Sequence, residues 1–232
     1  MKINIEEAIS FLDNPEKSDS RQATSIISII GEDLNTYAFK HYLENNENAH
    51  VEILSCSVTT GKNKGKRLDR WICVERNGTK ILYQCEIKNW GATAIGGKRL
   101  EKNANNDSKL KVAEINWKRQ LNEAFSKGEY PNGVTKVFVK MKPPKEYEGM
   151  KVEPLILYWM PLANIPKLNP LFKTPILTFN NQNIKTEFTE INIFSVSLYL
   201  RSLLENGTKE IELDMPNVKR RLEILDKICP KS

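Results

Sequence analysis

The chain has little of the chemistry that cross-links a fold or builds a structural zinc site. Among its 232 residues there are four widely separated cysteines, at Cys56, Cys73, Cys85 and Cys229. No C-x-x-C pair occurs, and neither His41 nor His50 lies at metal-ligand spacing. A structural zinc site is therefore not expected, and reduced, buried thiols of the kind found in cytoplasmic proteins are the default interpretation.

Long apolar runs are also missing. The first residues, Met1-Lys2-Ile3-Asn4, lack the apolar segment of a signal peptide, and no run approaches the roughly 20 apolar residues of a membrane span. We therefore expect a soluble, cytoplasmic protein with no membrane partner. Apolar residues make up 40% of the chain and charged residues 28%, a balance that supports a buried core without covalent cross-links.

The charge of the chain is moderately positive. The formal net charge is +6 and the sequence pI is near 9.0. Such a balance suits a polyanion such as nucleic acid, because neutralising phosphates supplies affinity that does not depend on sequence. The same charge fits a basic surface with no such partner, so composition alone leaves both interpretations open.

The spacing of apolar residues changes between helical and strand periods along the chain. It predicts helices at residues 5–12, 21–44, 108–127, 195–204 and after Pro216. It predicts strands at residues 51–59, 68–75, 80–88, 134–141, 153–160, near Ile176 and at 210–213. This order is typical of an α/β fold with a mixed sheet flanked by helices. No linker is visible, so we expect one domain, with a core at residues 1–160 and a carboxyl-terminal α/β extension at 161–232 packed on it.

A hairpin in the middle of the chain sets the positions of two acids. Asn77-Gly78 separates two apolar runs, which is a strong signal for a two-residue turn because both residues tolerate positive φ. With these residues at the centre of the turn, Arg76 pairs with Thr79, and the same register places Asp69 opposite Glu86. Side chains directly opposite each other project to one face, with Cβ atoms roughly 5 Å apart.

Lys88 lies two residues beyond Glu86 and shares its face, since strand side chains alternate. The opposite face carries an apolar set suited to burial: Ile72, Val74, Ile81, Tyr83, Cys85 and Ile87. Two neighbouring carboxylates repel unless a cation joins them, and oxygen ligands from two acids suit Mg²⁺. A metal there would activate water and stabilise charge on a phosphate, to which Lys88 would add positive charge.

The residues Asp69 and Glu86-Ile87-Lys88 resemble the signature of the PD-(D/E)XK nuclease superfamily, the fold of many restriction enzymes, Mrr-type nucleases and archaeal Holliday junction resolvases. Many members also carry an acid after a glycine on the preceding helix, and Gly31-Glu32-Asp33 matches, with Glu32 the first choice and Asp33 the second. Leu68 stands where the family name has proline.

The resemblance covers about residues 21–160 and also extends to the order of helices and strands. It implies a restriction endonuclease-like core in which Asp69, Glu86 and Glu32 hold Mg²⁺, with Mn²⁺ able to substitute, and in which Lys88 is catalytic. The implied activity is that of a DNA endonuclease, of restriction or phage-defence type. Cutting of both strands generally takes two active sites, so a homodimer is expected.

Basic residues flank the predicted site on both sides. Lys62, Lys64, Lys66 and Arg67 precede Asp69, and Lys98 and Arg99 follow Lys88. They are placed to contact a phosphate backbone, although surface lysines are commonly just solvated. Trp71 and Trp90 offer faces for base stacking, but a tryptophan beside a strand is more often part of the core.

Two other functions stay open at this point. RNA or branched DNA junctions are alternative substrates, because no local motif separates resolvases from restriction enzymes. A non-catalytic nucleic-acid-binding module of the same fold would retain the acids without cleaving. The intact set of acid, acid and lysine favours the enzyme.

Overall fold

The structure, a computed structural model, describes residues 1–13, 20–54, 68–88, 137, 139–159, 169–175 and 188–229, with the side chains of 11–13, 20–25, 27, 28, 88, 174 and 175 set aside. The helices of this part are α1 (Ile5–Asp13), α2 (Ser20–Asn46), α3 (Val196–Glu205) and α4 (Pro216–Ile228), with a 3-10 turn at Lys145–Tyr147. The strands are β1 (Lys2–Asn4), β2 (His50–Leu54), β3 (Arg70–Arg76), β4 (Thr79–Lys88), β5 (Lys151–Tyr158), β6 (Leu171–Pro175), β7 (Glu190–Ser195) and β8 (Glu210–Glu212).

Six of the strands form one mixed sheet in the order β2-β3-β4-β5-β7-β6. The pairs β4–β5 and β5–β7 are parallel, whereas the pairs β2–β3, β3–β4 and β6–β7 are antiparallel. β1 and β8 form a separate antiparallel pair. The predicted α/β fold with a mixed sheet flanked by helices is confirmed. β6 and β7, from the predicted carboxyl-terminal extension, continue the same sheet as β2–β5.

Each face of the sheet contributes its side chains to a different apolar cluster. On one face, Leu34 and Phe39 of α2 pack with Ile72 and Tyr83 of the hairpin, and the Phe39 ring lies 5.1 Å from that of Phe194. The apolar side predicted for the hairpin is confirmed, since five of its members belong to this cluster and Ile81 packs against it. The other face belongs to a second cluster that includes Trp71, Leu82, Met141, Ile156 and Tyr158.

The predicted strand at residues 134–141 is wrong for the part that is described. Val137 and residues 139–141 belong to no strand. The side chain of Gln84 binds this segment instead: its amide donates to the carbonyls of Val137 at 2.5 Å and Val139 at 3.0 Å, and its carbonyl accepts from Met141 N–H at 2.9 Å. A buried side chain thus satisfies backbone groups that a strand ladder would otherwise satisfy. The predicted helix at residues 108–127 lies outside the described residues.

Most other predicted elements are present within a few residues. The cap predicted for α1 is confirmed, because Asn4 Oδ1 accepts from Glu7 N–H at 3.0 Å. β1 and β7 were not predicted. β1 has only three residues, and β7 is a short apolar run of the kind that periodicity cannot assign to helix or strand.

Within the part of the chain described, no helix combines the length and the apolar character needed to cross a membrane.

Candidate functional site

The hairpin turn fixes which residues of β3 and β4 face each other. Asn77 and Gly78 both have positive φ, 51° and 72°, as a type I′ turn requires. The pairs run from Arg76 with Thr79 to Arg70 with Cys85. The predicted register is therefore confirmed, and one further step along it places Asp69 opposite Glu86.

A hydrogen bond ties Asp69 to the opposite strand. Asp69 lies at the bend directly before β3 and is half-buried. Its Oδ2 accepts from the backbone N–H of Ile87 at 2.8 Å. This bond extends the contact between the two strands beyond the last ladder pair, and it holds one carboxylate beside the residue that follows Glu86.

Glu86 provides the second carboxylate from the centre of the sheet. β4 lies between β3 and β5, and Glu86 is paired with Ile156 of β5. Only 1% of the residue is exposed. It projects to the same face as Leu82 and Gln84, which is the face of the second cluster. A buried carboxylate is stable only with hydrogen bonds or a cation nearby, so burial makes this position chemically unusual.

The neighbouring thiol reports the negative potential of both acids. Burial is the largest cause that raises the pKa of Cys85 well above its ordinary value, followed by the charges of Asp69 and then Glu86. The two carboxylates therefore act on one small region of the sheet. A hydrogen bond with the Leu157 backbone and the charge of Arg70 oppose this rise in the Cys85 pKa.

Lys88 is the last residue of β4, two positions beyond Glu86 and paired with Tyr158. Its backbone thus has the predicted register position. The prediction that its side chain shares the face of Glu86 concerns atoms outside the described part of the chain.

Glu32 and Asp33 both lie near Arg70. Arg70 Nη2 lies 3.8 Å from Glu32 Oε2 and 4.0 Å from Asp33 Oδ1. Arg70 alternates with Asp69 along the chain, so it points to the α2 side of the sheet, opposite to the face of Glu86. Among the described residues, which include Glu32, Asp69 and Glu86, no three side chains of the His, Cys, Asp or Glu type form a group able to hold a metal.

Asp33 is a capping residue for the carboxyl-terminal helix. It is 1% exposed, and its carboxylate accepts from Asn217 N–H at 2.8 Å, Asn217 Nδ2 at 2.8 Å and Val218 N–H at 3.1 Å. These amides open α4, whose own preceding residue, Met215, supplies no side-chain cap. A carboxylate at that place also complements the positive end of the helix dipole. Asp33, the second-choice acid, therefore has a structural role.

The fit to a metal can be judged from Asp69 and Glu86 alone. Mg²⁺ keeps several waters and is commonly held by one or two carboxylates together with substrate phosphates. One buried and one half-buried carboxylate, placed opposite each other in the register, meet that requirement with oxygen donors. They do not meet the requirement of structural zinc, which takes four nitrogen or sulfur ligands.

Several residues that were predicted to contact nucleic acid lie outside the described part of the chain. The basic residues predicted to bind phosphate, Lys62, Lys64, Lys66, Arg67, Lys98 and Arg99, lie outside the described residues, as does Trp90. Trp71 is fully buried in the second cluster, so the core interpretation is confirmed for it and base stacking is excluded.

Sequence reasoning missed Arg70 and Gln84. The signal for Gln84 was a polar side chain within the apolar run 81–85, which indicates a buried amide with defined partners. Arg70 gave no local signal, because its partners on α2 are more than thirty residues away in the chain.

A polar pocket lies at the other end of the sheet. Its volume is about 370 Å³, and its walls include Lys151, Glu153, Lys173 and Asn192. Lys151 pairs with Ile81, seven strand residues from Lys88, or roughly 23 Å at strand rise. Glu153 pairs with both Lys151 and Lys173 there, at 2.6 Å and 3.9 Å. This pocket is separate from Asp69 and Glu86.

Comparison of the chain with protein-family models, with curated proteins and with solved structures finds no significant match.

Proposed function

We propose that the protein is a divalent-metal-dependent nuclease that hydrolyses phosphodiester bonds. Asp69 and Glu86 hold Mg²⁺ or Mn²⁺, and Lys88 lies beside the phosphate that is cleaved. The core is restriction endonuclease-like, and the preferred substrate is double-stranded DNA, as in restriction or phage-defence enzymes. Glu32 is a further candidate ligand, through a rearrangement of its ion pair with Arg70.

The observation that carries this proposal is the register of the β3–β4 hairpin. The pairs that continue from Arg76 and Thr79 to Arg70 and Cys85 lead directly to Asp69 opposite Glu86. A buried carboxylate beside a second carboxylate is costly without a cation, so such a pair supports metal chemistry. The strand arrangement supports the proposed restriction endonuclease-like core, because β3 and β4 are antiparallel and β5 is parallel to β4.

Each residue has a defined task in hydrolysis. Bound Mg²⁺ would supply Lewis-acid polarisation of the phosphate and a more acidic water. Asp69 is kept in place by Ile87 N–H, and Glu86 by its position in the central strand, so both ligands are oriented before substrate arrives. The Lys88 ammonium stabilises the negative charge that grows on the phosphate oxygens, or positions the attacking water.

The formal charge of +6 supports nucleic acid as the partner. Cleavage of both strands of a duplex takes two active sites, so a homodimer is part of the proposal. A cytoplasmic location is also proposed, because the substrate would be intracellular nucleic acid. RNA and branched DNA are the alternative substrates, and a non-catalytic module is the alternative class.

The test is a cleavage assay on plasmid, linear duplex, four-way junction and RNA substrates, with Mg²⁺, Mn²⁺ or EDTA. Lys88→Ala and Glu86→Gln are compared with Lys80→Ala, an exposed lysine at the other end of β4. Metal-dependent cutting that is lost in the first two variants and kept in the control supports the nuclease. The preferred substrate then decides between duplex DNA, junctions and RNA.

Calorimetry with Mn²⁺ separates the remaining outcomes. If the wild-type protein binds Mn²⁺, Asp69→Asn does not, and none of these substrates is cut, the proposed metal site stands. The enzyme then has a narrower substrate specificity. If the wild-type protein neither binds Mn²⁺ nor cuts any of these substrates, the proposal is overturned and the non-catalytic module remains.

A further inference from the structure

Arg70 is adjacent in the hairpin to both acids of the proposed metal site. It follows Asp69 directly in the chain, and its partner on β4 is Cys85, the residue before Glu86. Its side chain is only 16% exposed. It projects to the α2 side of the sheet, whereas Glu86 projects to the other face. Arg70 is therefore close to both acids without sharing the face of Glu86.

The guanidinium of Arg70 makes two kinds of contact. Nη1 donates to the backbone carbonyl of Asp69 at 3.2 Å. Nη2 lies 3.8 Å from Glu32 Oε2 and 4.0 Å from Asp33 Oδ1. The planar guanidinium presents its nitrogens in fixed directions, so one end can hold a carbonyl while the other lies against carboxylates. The side chain thus connects the backbone of Asp69 to α2.

The α2 end of this connection is firmly held. Asp33 is 1% exposed, and its carboxylate accepts hydrogen bonds from Asn217 and Val218 at the start of α4. Glu32 lies on the same helix, so two acids share Arg70 and the loss of either one leaves the guanidinium a partner. A long side chain held at both ends has little freedom of movement left. Arg70 can therefore restrain the residue whose carbonyl it contacts.

Asp69 lies where such a restraint matters. It occupies the bend directly before β3, one step beyond the ladder pair of Arg70 with Cys85. Its Oδ2 accepts from the backbone N–H of Ile87 at 2.8 Å. The direction of this carboxylate depends on the position of its own backbone. A hydrogen bond to the Asp69 carbonyl limits that position, as partners of metal ligands commonly do.

We propose that Arg70 is a positioning residue for Asp69. It acts through the Asp69 carbonyl and keeps the carboxylate in the orientation in which Oδ2 binds Ile87 N–H, so that a cation meets a preformed ligand. This inference rests on the proposed function, because it takes Asp69 as a metal ligand. A cation that only balanced charge would act in the opposite direction, since its removal would strengthen metal binding.

The first test measures hydrogen exchange of the Ile87 amide by NMR in the metal-free full chain. Arg70→Met should speed this exchange about tenfold or more relative to the other amides of β4. Arg76→Met is the matched control, because Arg76 lies at the other end of β3 and pairs with Glu47. A general loss of stability would speed all amides of β4 together. Equal changes along β4 overturn the inference.

The second test measures the Kd for Mn²⁺ by calorimetry. Arg70→Met should weaken binding by about 10-fold to 100-fold, whereas Arg76→Met should leave it unchanged. Arg70→Lys keeps the charge between the acids, which also covers the case in which Arg70→Met does not fold. Its single nitrogen cannot occupy both places of the guanidinium, so it should weaken binding as well. Wild-type affinity in Arg70→Lys, or tighter binding in Arg70→Met, overturns the inference.

Failure of the proposed function gives a different result. If the wild-type protein binds no Mn²⁺, the proposed metal site is wrong. The exchange of the Ile87 amide then decides by itself whether Arg70 holds Asp69 in place, because that measurement needs no metal.

Discussion

The Asp33 carboxylate accepts hydrogen bonds from both the backbone N–H and the side-chain amide of Asn217, each at 2.8 Å. These residues are 184 positions apart in the chain. The bonds join α2 to the first turn of α4, and Arg70 at 4.0 Å brings β3 into the same junction. Asp33, the neighbour of the candidate ligand Glu32, thereby caps α4.

Asp33→Ala should destabilise the fold without altering Asp69 or Glu86 of the proposed metal site. Loss of a helix cap removes about 1–2 kcal/mol, and the buried amides lose their acceptor as well. Each kcal/mol corresponds to roughly 2–4 °C in Tm for a chain of this size. Glu32→Ala is the matched control, since Glu32 is much more exposed and should change Tm little. Equal Tm values for the two variants would contradict the capping role.

Metal affinity should depend most on the two opposed acids. Asp69→Asn keeps an oxygen acceptor for Ile87 N–H and removes only the charge, so the fold should persist while Mn²⁺ binding is lost. Glu86→Gln should behave in the same way. Glu32→Gln should weaken binding less, because the structure pairs Glu32 with Arg70. Calorimetry of the three variants gives the order, and an equal loss for Glu32→Gln would establish it as a full ligand.

Stability should fall as the pH drops from 7 toward 5 because of His41. Burial lowers the pKa of His41, with partial opposition from Glu44, and His41 Nδ1 lies 2.5 Å from the hydroxyl of Tyr199. The unfolded chain binds a proton near pH 6.5 and the folded chain does so only at lower pH. The contribution of neutral His41 is therefore complete above about pH 6.5 and is lost as pH falls toward the folded pKa.

Urea unfolding at a series of pH values measures this effect. His41→Gln should flatten the dependence between pH 7 and 5, whereas His50→Gln, at the other and exposed histidine, should preserve it. The same slope in wild type and His41→Gln would assign the effect to other groups.

Gln84→Met should be the most destabilising of these changes. It leaves the Val137 and Val139 carbonyls and the Met141 N–H without their partner, each at about 1–3 kcal/mol. Lys80→Met, an exposed change on the same strand, is the control. A Tm loss on the order of 10 °C is expected for the buried site. A loss no larger than in the control would mean that these three bonds contribute little.

The amino-acid sequence predicts the parts of the site that depend on local geometry. Asn77 and Gly78 define a turn with one register, so the relation of Asp69 to Glu86 follows from the sequence alone. Contacts between distant segments could not be predicted in this way. Neither the cap from Asp33 to α4 nor the ion pair of Arg70 leaves a local pattern, because each depends on how separate helices meet the sheet.

The pairing of β1 with β8 has a consequence for the order in which the chain acquires its structure. Ile3 is paired with Ile211, and Ile5 N–H donates to the carbonyl of Lys209. During synthesis on a ribosome, β1 is made long before β8, since Lys2 and Glu210 of these two strands are 208 positions apart. β1 can therefore dock only after β8 has been made, and its docking closes a long loop. This late, non-local step is the natural candidate for the slowest stage of folding.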